Sequence, residues 1–149
     1  MHAIHRATLA DIETIAPLFD AYRQFYSQPA DMTRARDWLC QRLGAGESVV
    51  FYARDDSGRA AGFTQLYRAF SSVRIARTWV LNDLYVDPCA RRAGLARALL
   101  DAAVAFARSD GAAGIALETG RDNAAARALY RAAGWREDAT QWYSLALNA

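Results

Sequence analysis

One stretch, Leu81-Asn-Asp-Leu-Tyr-Val-Asp-Pro-Cys-Ala-Arg-Arg-Ala-Gly-Leu-Ala-Arg-Ala-Leu-Leu100, constrains the fold more than any other. Its first half is strand-like, Asp87-Pro88 breaks it, and an alanine- and leucine-rich run from Gly94 onward reads as a helix. Such a chain puts a tight loop between the end of a strand and the start of a helix. Ala93, Gly94 and Ala96 stand at the turn into the helix, so the backbone can come close to a bulky ligand and first-turn N–H groups can point at it. Arg91 and Arg92 add positive charge, and a guanidinium suits phosphate because it offers several N–H donors in a fixed plane. The loop therefore reads as a phosphate site. It is not a P-loop, since no Lys-[Ser/Thr] follows. Nor is it a dinucleotide fingerprint, since Ala93 and Ala96 flank a single Gly94 where G-x-G-x-x-G is required.

At 149 residues and 53% hydrophobic content, the chain fits one domain, residues 1–149, with a sizeable core. Its 18 basic and 16 acidic residues leave a formal charge of +2, which gives no case for nucleic acid or a membrane surface as partner. All 18 basic residues are arginine, a bacterial-like pattern of GC-rich coding, and the lack of lysine excludes Schiff-base and Walker-lysine chemistry. Cys40 and Cys89 form no C-x-x-C and no metal-ligand set, which fits a reduced, cytoplasmic protein without a metal. No apolar run approaches the roughly 18 residues of a membrane helix, and the N-terminus lacks the apolar core of a signal peptide.

Hydrophobic periodicity predicts an α+β chain in α/β/α layers, with about seven strands. A strand over 2–7 precedes a helix capped by Thr8 and running to about Tyr26. Its Ile12, Ile15, Ala16, Phe19, Tyr22, Phe25 and Tyr26 share one face, with Pro17 as a kink. A second helix covers 34–43. Residues 49–54 and 60–70 flank Asp55-Asp56-Ser57-Gly58 as a hairpin, and a fourth strand over 77–86 leads into the phosphate loop. Then come a third helix over 94–108, a fifth strand over 114–119 parallel to the fourth, and a fourth helix over 124–133 capped by Asp122 or Asn123. Two last strands at 135–137 and 141–147 complete the order.

Arg91-x-x-Gly94-x-Ala96 resembles the pyrophosphate-binding motif of the GNAT superfamily of N-acetyltransferases. Downstream, Asn123-x-x-Ala126-x-x-Leu129-Tyr130-x-x-x-Gly134-Trp135 resembles that superfamily's second motif, and the likeness runs from end to end of the chain. It implies a central mixed sheet with helices on both faces, splayed between the fourth and fifth strands to admit the pantetheine arm of acetyl-CoA. Leu84, Tyr85 and Val86 are then backbone partners of that arm, and Arg91, Arg92, Ala93, Gly94, Leu95, Ala96 and Arg97 the pyrophosphate cradle. Asn123 and Ala126 are further cofactor contacts, although a helix N-cap explains Asn123 equally well. Tyr130, two turns along from Asn123, is implied as the acid that protonates the departing CoA thiolate.

The reaction implied is direct attack of a primary amine on the thioester through a tetrahedral intermediate, its oxyanion taken by a backbone N–H of strand four, with CoA released as product. Many superfamily members carry Glu where this chain has Asn82, and Asn cannot accept the amine proton. The base is left among Asp83, Glu118 and a water held by Asn82, with Asp83 acting through water preferred. Residues 65–73 with 81–85 resemble the small branch whose acceptors include polyamines, histone-type peptides and amino acids, so the partner is a small-molecule or peptide amine. Tyr22, Tyr26, Tyr67, Asn82 and Glu118 are candidate substrate residues, beside Phe70 and Trp79. A homodimer is implied by the same analogy. The alternative is a non-catalytic acyl-CoA-binding or regulatory domain of the same fold, which would bind the cofactor without turnover.

Overall fold

Two long strands, β3 (Ala60–Ser71) and β4 (Ala76–Val86), form the spine of the computed structural model, which describes residues 2–148. They are joined by a turn at 72–75 and pair antiparallel from Gly62 opposite Val86 to Ser71 opposite Ala76. β2 (Ser48–Arg54) and β1 (Ile4–Arg6) extend the antiparallel meander, and β5 (Ile115–Ala116) adds to β4 in parallel, giving a five-stranded mixed sheet in sequence order. The β2–β3 turn forms because Asp55 Oδ1 accepts from the main-chain N–H of Ser57 and Arg59, at 2.9 and 3.1 Å, ahead of Gly58 in left-handed backbone.

One irregularity re-aims the end of β4. Leu66 pairs with Leu81 but Gln65 pairs with Asp83, so Asn82 is an extra residue bulged out of β4. Before it, Trp79 and Leu81 face one side of the sheet; after it, Asp83 and Tyr85 face the other, opposite Gln65 and Phe63.

The side that carries Asp83 is covered by α1 (Ile12–Phe25) and α2 (Met32–Gly44), whose Ile12, Ile15, Ala16, Phe19, Ala35 and Leu39 bury against Val50, Tyr52 and Phe63. α3 (Leu95–Ser109) covers the other side with Leu95 and Leu99 against Ala53, Ala61 and Val86. Each fully buried Leu, Ile or Phe contributes about 1.5–3 kcal/mol, so these two layers hold the sheet in place. Gly62 makes the α3 contact possible, since a Cβ there would meet the Tyr85 carbonyl at 3.0 Å and Leu99 at 3.2 Å. Thr8 caps not α1 itself but a 3-10 turn, Leu9–Asp11, through a capping box with Asp11. α1 then runs unbroken through Pro17, which sits in its second turn and costs one backbone bond. Asp31 caps α2 by accepting from Arg34 N–H, and its own N–H donates to the buried Asp20 at 2.9 Å.

The count of about seven strands is corrected to five among the described residues. Residues 135–137 and 141–147 form no ladder, and Trp142, Tyr143, Leu145 and Leu147 are exposed. Alternation marks a segment able to pair but does not supply the partner that a ladder needs. β5 is also shorter than 114–119, because its pairing with β4 ends at Val80 and Ala116. The chain falls into two compact units, Met1–Glu118 and Thr119–Ala149. The second contains α4 (Ala124–Ala132), capped by the Asn123 side chain accepting from Ala126 N–H. No helix among the described residues is long and apolar enough to cross a membrane.

Candidate active site

The bulge turns a carboxylate into the interface between β4 and α1. Asp83 is 2% exposed; it accepts from Gln65 Nε2 at 2.6 Å and from Asn82 Nδ2 at 2.8 Å. Its main-chain carbonyl takes the Thr64 hydroxyl at 2.8 Å, and the Tyr22 hydroxyl donates to the Asn82 carbonyl at 3.2 Å. Burial pushes the Asp83 carboxyl above the usual carboxylate range, while hydrogen bonds from Asn82, Gln65 and Tyr22 pull it back. A carboxylate lifted this way is a better proton acceptor than a surface one.

Neutral phenols surround it. Burial, reinforced by the Asp83 charge, raises the Tyr22 hydroxyl; the same two causes push Tyr67 up to about 12, against the Trp38 hydrogen bond. Both therefore act as hydrogen-bond donors near neutral pH. Tyr22 stacks edge-on to Phe63 and Tyr26, and Trp38 Nε1 donates to the Tyr67 hydroxyl at 3.0 Å. Past Tyr67 opens a groove of about 770 Å³ lined by Trp38, Arg42, Glu47, Tyr67, Arg68 and Phe70. The structure thus joins Tyr22, Tyr67, Asn82 and Asp83 in one cluster. Tyr26 stands at its rim, 58% exposed, and Trp79 faces α3 instead, edge-on to Phe106 with Nε1 donating to Asp110. Glu118 is exposed, lies beyond β5, and shares none of Asp83's hydrogen bonds.

At the end of β4, Asp87 accepts from Cys89 N–H at 2.9 Å and pairs with Arg59 at 3.1 Å, holding the turn that leads to the phosphate loop. These contacts, the backbone one foremost, keep its carboxyl below the usual range. Arg92 and Gly94 both have positive φ, 66° and 82°, on either side of the exposed Ala93. A Cβ on Gly94 would meet only His2 Nε2, at 3.7 Å, so the space above the glycine is otherwise open. Leu95 and Ala96 follow in the first turn of α3, where N–H groups have no intrahelical acceptor. The cradle and its donors fit a phosphate group. Arg91 is partly committed elsewhere: its Nε donates to the Val86 carbonyl at 3.0 Å and its guanidinium lies 5.8 Å from the Phe25 ring centre. Of the three residues expected to meet the cofactor arm through their backbone, Val86 therefore already has its carbonyl engaged. Pairing with β5 stops short of Leu84 and Tyr85.

Within the second unit, Asn123 is an N-cap and Tyr130 lies on α4, its ring 6.2 Å from that of Trp135. Gln65, Thr64, Trp38 and His2 were not singled out in advance. The signal for Gln65 was present, a polar pair Thr64-Gln65 inside the apolar run 61–67. His2, whose Nε2 donates to the Ala93 carbonyl, had none, because its partner is 91 residues away.

Residues 12–135 match the family described as "Acetyltransferase (GNAT) family". The chain is 44% identical over 135 residues, 91% of its length and 90% of the relative's, to the uncharacterized N-acetyltransferase YhfO of Bacillus subtilis. A crystal structure of a probable acetyltransferase superimposes with a TM-score of 0.93 at 39% identity, covering 99% of both chains. A predicted acetyltransferase of Clostridium acetobutylicum, solved with acetyl-CoA, matches at a TM-score of 0.77 and 18% identity, over 99% of this chain and 97% of the other, and at that identity shares the fold alone. The matched span opens on the first residue of α1, takes in the bulged strand and its phosphate loop, and closes just past α4; the chain belongs to the acetyltransferase (GNAT) family.

Proposed function

We propose that the chain is an acetyl-CoA-dependent N-acetyltransferase in which a primary amine attacks the thioester directly, with Asp83 taking the amine proton through water. The observation that carries this reading is the buried, hydrogen-bonded carboxylate of Asp83 on the same strand that runs into the open, glycine-floored loop at 91–97. The family match supports the chemistry, and the fold neighbour solved with acetyl-CoA supports the cofactor.

Acetyl-CoA supplies the acetyl group as a thioester. The main chain at 92–97 and Arg92 hold its pyrophosphate, and the exposed edge of β4 at Leu84 and Tyr85 takes its amide-bearing arm as an added strand would. Tyr67, neutral, donates toward the acceptor without competing for its proton, while the Tyr22 hydroxyl stays bonded to the Asn82 carbonyl. The groove beyond Tyr67 admits an acceptor larger than a simple alkylamine, and its aromatic walls suit an extended small molecule or a peptide side chain. The amine nitrogen bonds to the thioester carbon to give a tetrahedral intermediate, the amine proton passes to Asp83 through water, and the C–S bond then breaks as Tyr130 protonates the leaving thiolate. Glu118, exposed and outside the cluster, is not the base in this scheme.

The test is a panel of polyamines, amino acids, peptides and small aromatic amines with acetyl-CoA, following release of free thiol. Acceptor-dependent thiol release with the acetylated amine identified by mass is the expected result. Tight CoA binding with no turnover on any class would instead make the chain an acyl-CoA-binding domain.

A further inference from the structure

Gln65 is fully buried, in the middle of β3, and its amide is only half used. Nε2 donates to Asp83 Oδ2 at 2.6 Å, whereas Oε1 has no partner. A buried acceptor left without a donor is costly, and native interiors hold few of them. Every side chain that touches the Asp83 carboxylate presents a donor to it: Gln65, Asn82 and the nearby Tyr22 hydroxyl. That set serves the ionised form. Once Asp83 carries a proton, its O–H needs an acceptor, and the Asn82 and Asp83 carbonyls already receive Tyr22 and Thr64. Gln65 Oε1 is a fully buried side-chain acceptor beside that carboxylate, and it has no hydrogen-bond partner.

We propose that Gln65 is a positioning residue that serves both protonation states of Asp83, its amide turning half a revolution so that Nε2 donates to the carboxylate and Oε1 accepts from the carboxylic acid. This rests on Asp83 being the base. The turn exchanges two atoms of nearly equal size in one buried volume, so it needs no repacking. Before the proton arrives Oε1 is unpaired; after it, Nε2 is. The number of unpaired atoms is unchanged, and the orphaned oxygen is explained as the place kept for the second state. The proton moves from the amine, through water, to Asp83 Oδ2, and no other bond changes.

The groups facing Asp83 are Tyr22 of α1, Gln65 and Tyr67 of β3 and Asn82 of β4, with Arg42 of α2 and Glu47 beyond Tyr67 at the groove. Both tyrosine hydroxyls are raised, so neither titrates where a carboxyl does.

The experiment follows the Asp83 side-chain carboxyl by carbon-13 NMR across pH, in the wild-type protein and in Gln65→Leu. Leucine takes a partner from both forms of Asp83, so the midpoint should move by less than about one pH unit, the size expected for loss of a donor to the carboxylate alone. The acid limb of kcat/KM with an acetylated amine should move by the same amount. A folded Gln65→Leu protein whose midpoint rises by about one unit or more would overturn the proposal, since the amide would then serve the carboxylate alone. Should that variant fail to fold, the wild-type Gln65 side-chain NH₂ protons decide alone: their through-space contacts must exchange from the Asp83 side of the amide to the other side across the Asp83 midpoint, and contacts that stay the same on both sides of it rule the turn out. If no amine is acetylated the proposed enzymatic reading fails separately, because the NMR titrations do not depend on turnover.

Discussion

The Tyr22 hydroxyl donates to the main-chain carbonyl of Asn82 at 3.2 Å, so a side chain of α1 closes on the bulge that aims Asp83. Tyr22→Phe keeps the ring stacked on Phe63 but removes that bond and a hydroxyl that supports the carboxylate. Stability should fall by about 0.5–1.5 kcal/mol in urea denaturation. The acid limb of kcat/KM should also move to higher pH, because the charged form of Asp83 loses support. A variant with unchanged stability and unchanged pH profile would show the contact to be incidental.

Asp83→Asn removes the proton acceptor while keeping the shape of the side chain. Turnover at neutral pH should drop by about 10²–10⁴-fold, the usual worth of general base catalysis. Its stability effect has the opposite sense. The folded carboxyl titrates above its usual 3.8, so between that value and the folded one the native state holds a proton that the unfolded chain has lost. Wild-type stability relative to the variant therefore declines as pH rises through that window, and is regained as pH falls back toward 3.8. Urea denaturation of both proteins at several pH values checks this. Activity within about threefold of wild type, far below the range for a lost base, would move that role to Glu118 or a water held by Asn82.

The phosphate loop is tested by Gly94. Ligand bound only to the native state adds about 2.7 kcal/mol at a hundredfold excess over its Kd, so CoA and acetyl-CoA should each raise the wild-type Tm. Gly94→Ala places a Cβ in nearly open space but forces it onto a φ of 82°, and should lower Tm with a modest loss of CoA affinity. Gly94→Val adds bulk as well, and should abolish the CoA-induced shift. Normal CoA affinity by calorimetry in the Val variant would place the pyrophosphate elsewhere.

Tyr130→Phe separates an enzyme from a binding module. Deleting the hydroxyl while keeping the ring should leave CoA affinity within a few-fold and reduce kcat by about 10²–10⁴, the pattern of an interaction made only in the transition state. Steady-state turnover beside calorimetry decides it. A kcat within about threefold would assign protonation of the thiolate to water or substrate, since an acid is worth far more.

Much of this arrangement could be read from residue order. The break at Asp87-Pro88 and the glycine at 94 are local signals, and they mark a left-handed residue before α3 where backbone geometry requires one. α1, α2 and α3 follow from apolar spacing within a turn or so of their ends. What the pattern could not give depends on pairing between distant segments. Alternation over 77–86 in one frame puts Asp83 on the side of Trp79 and Leu81, and only the pairing of Gln65 with Asp83 reveals the extra residue between. The same limit made strands of 135–137 and 141–147, where hydrophobic alternation is present and a ladder is not. Gln65 was hidden for a related reason, since a buried amide declares its role only once its partner is known.

The bulge also changes how β4 should respond to insertions and deletions. Losing one residue from the middle of a regular strand inverts every side chain beyond it, and core residues end up in water. Here, excising Asn82 leaves Leu66 opposite Leu81 and Gln65 opposite Asp83 in an uninterrupted ladder, with each half of the strand facing the layer it faces now. The strand carries its own spare residue, so a single deletion mends the sheet. What departs with it is the carbonyl that receives Tyr22 and the amide that supports Asp83, leaving a folded chain whose carboxylate is held by Gln65 alone on the sheet side.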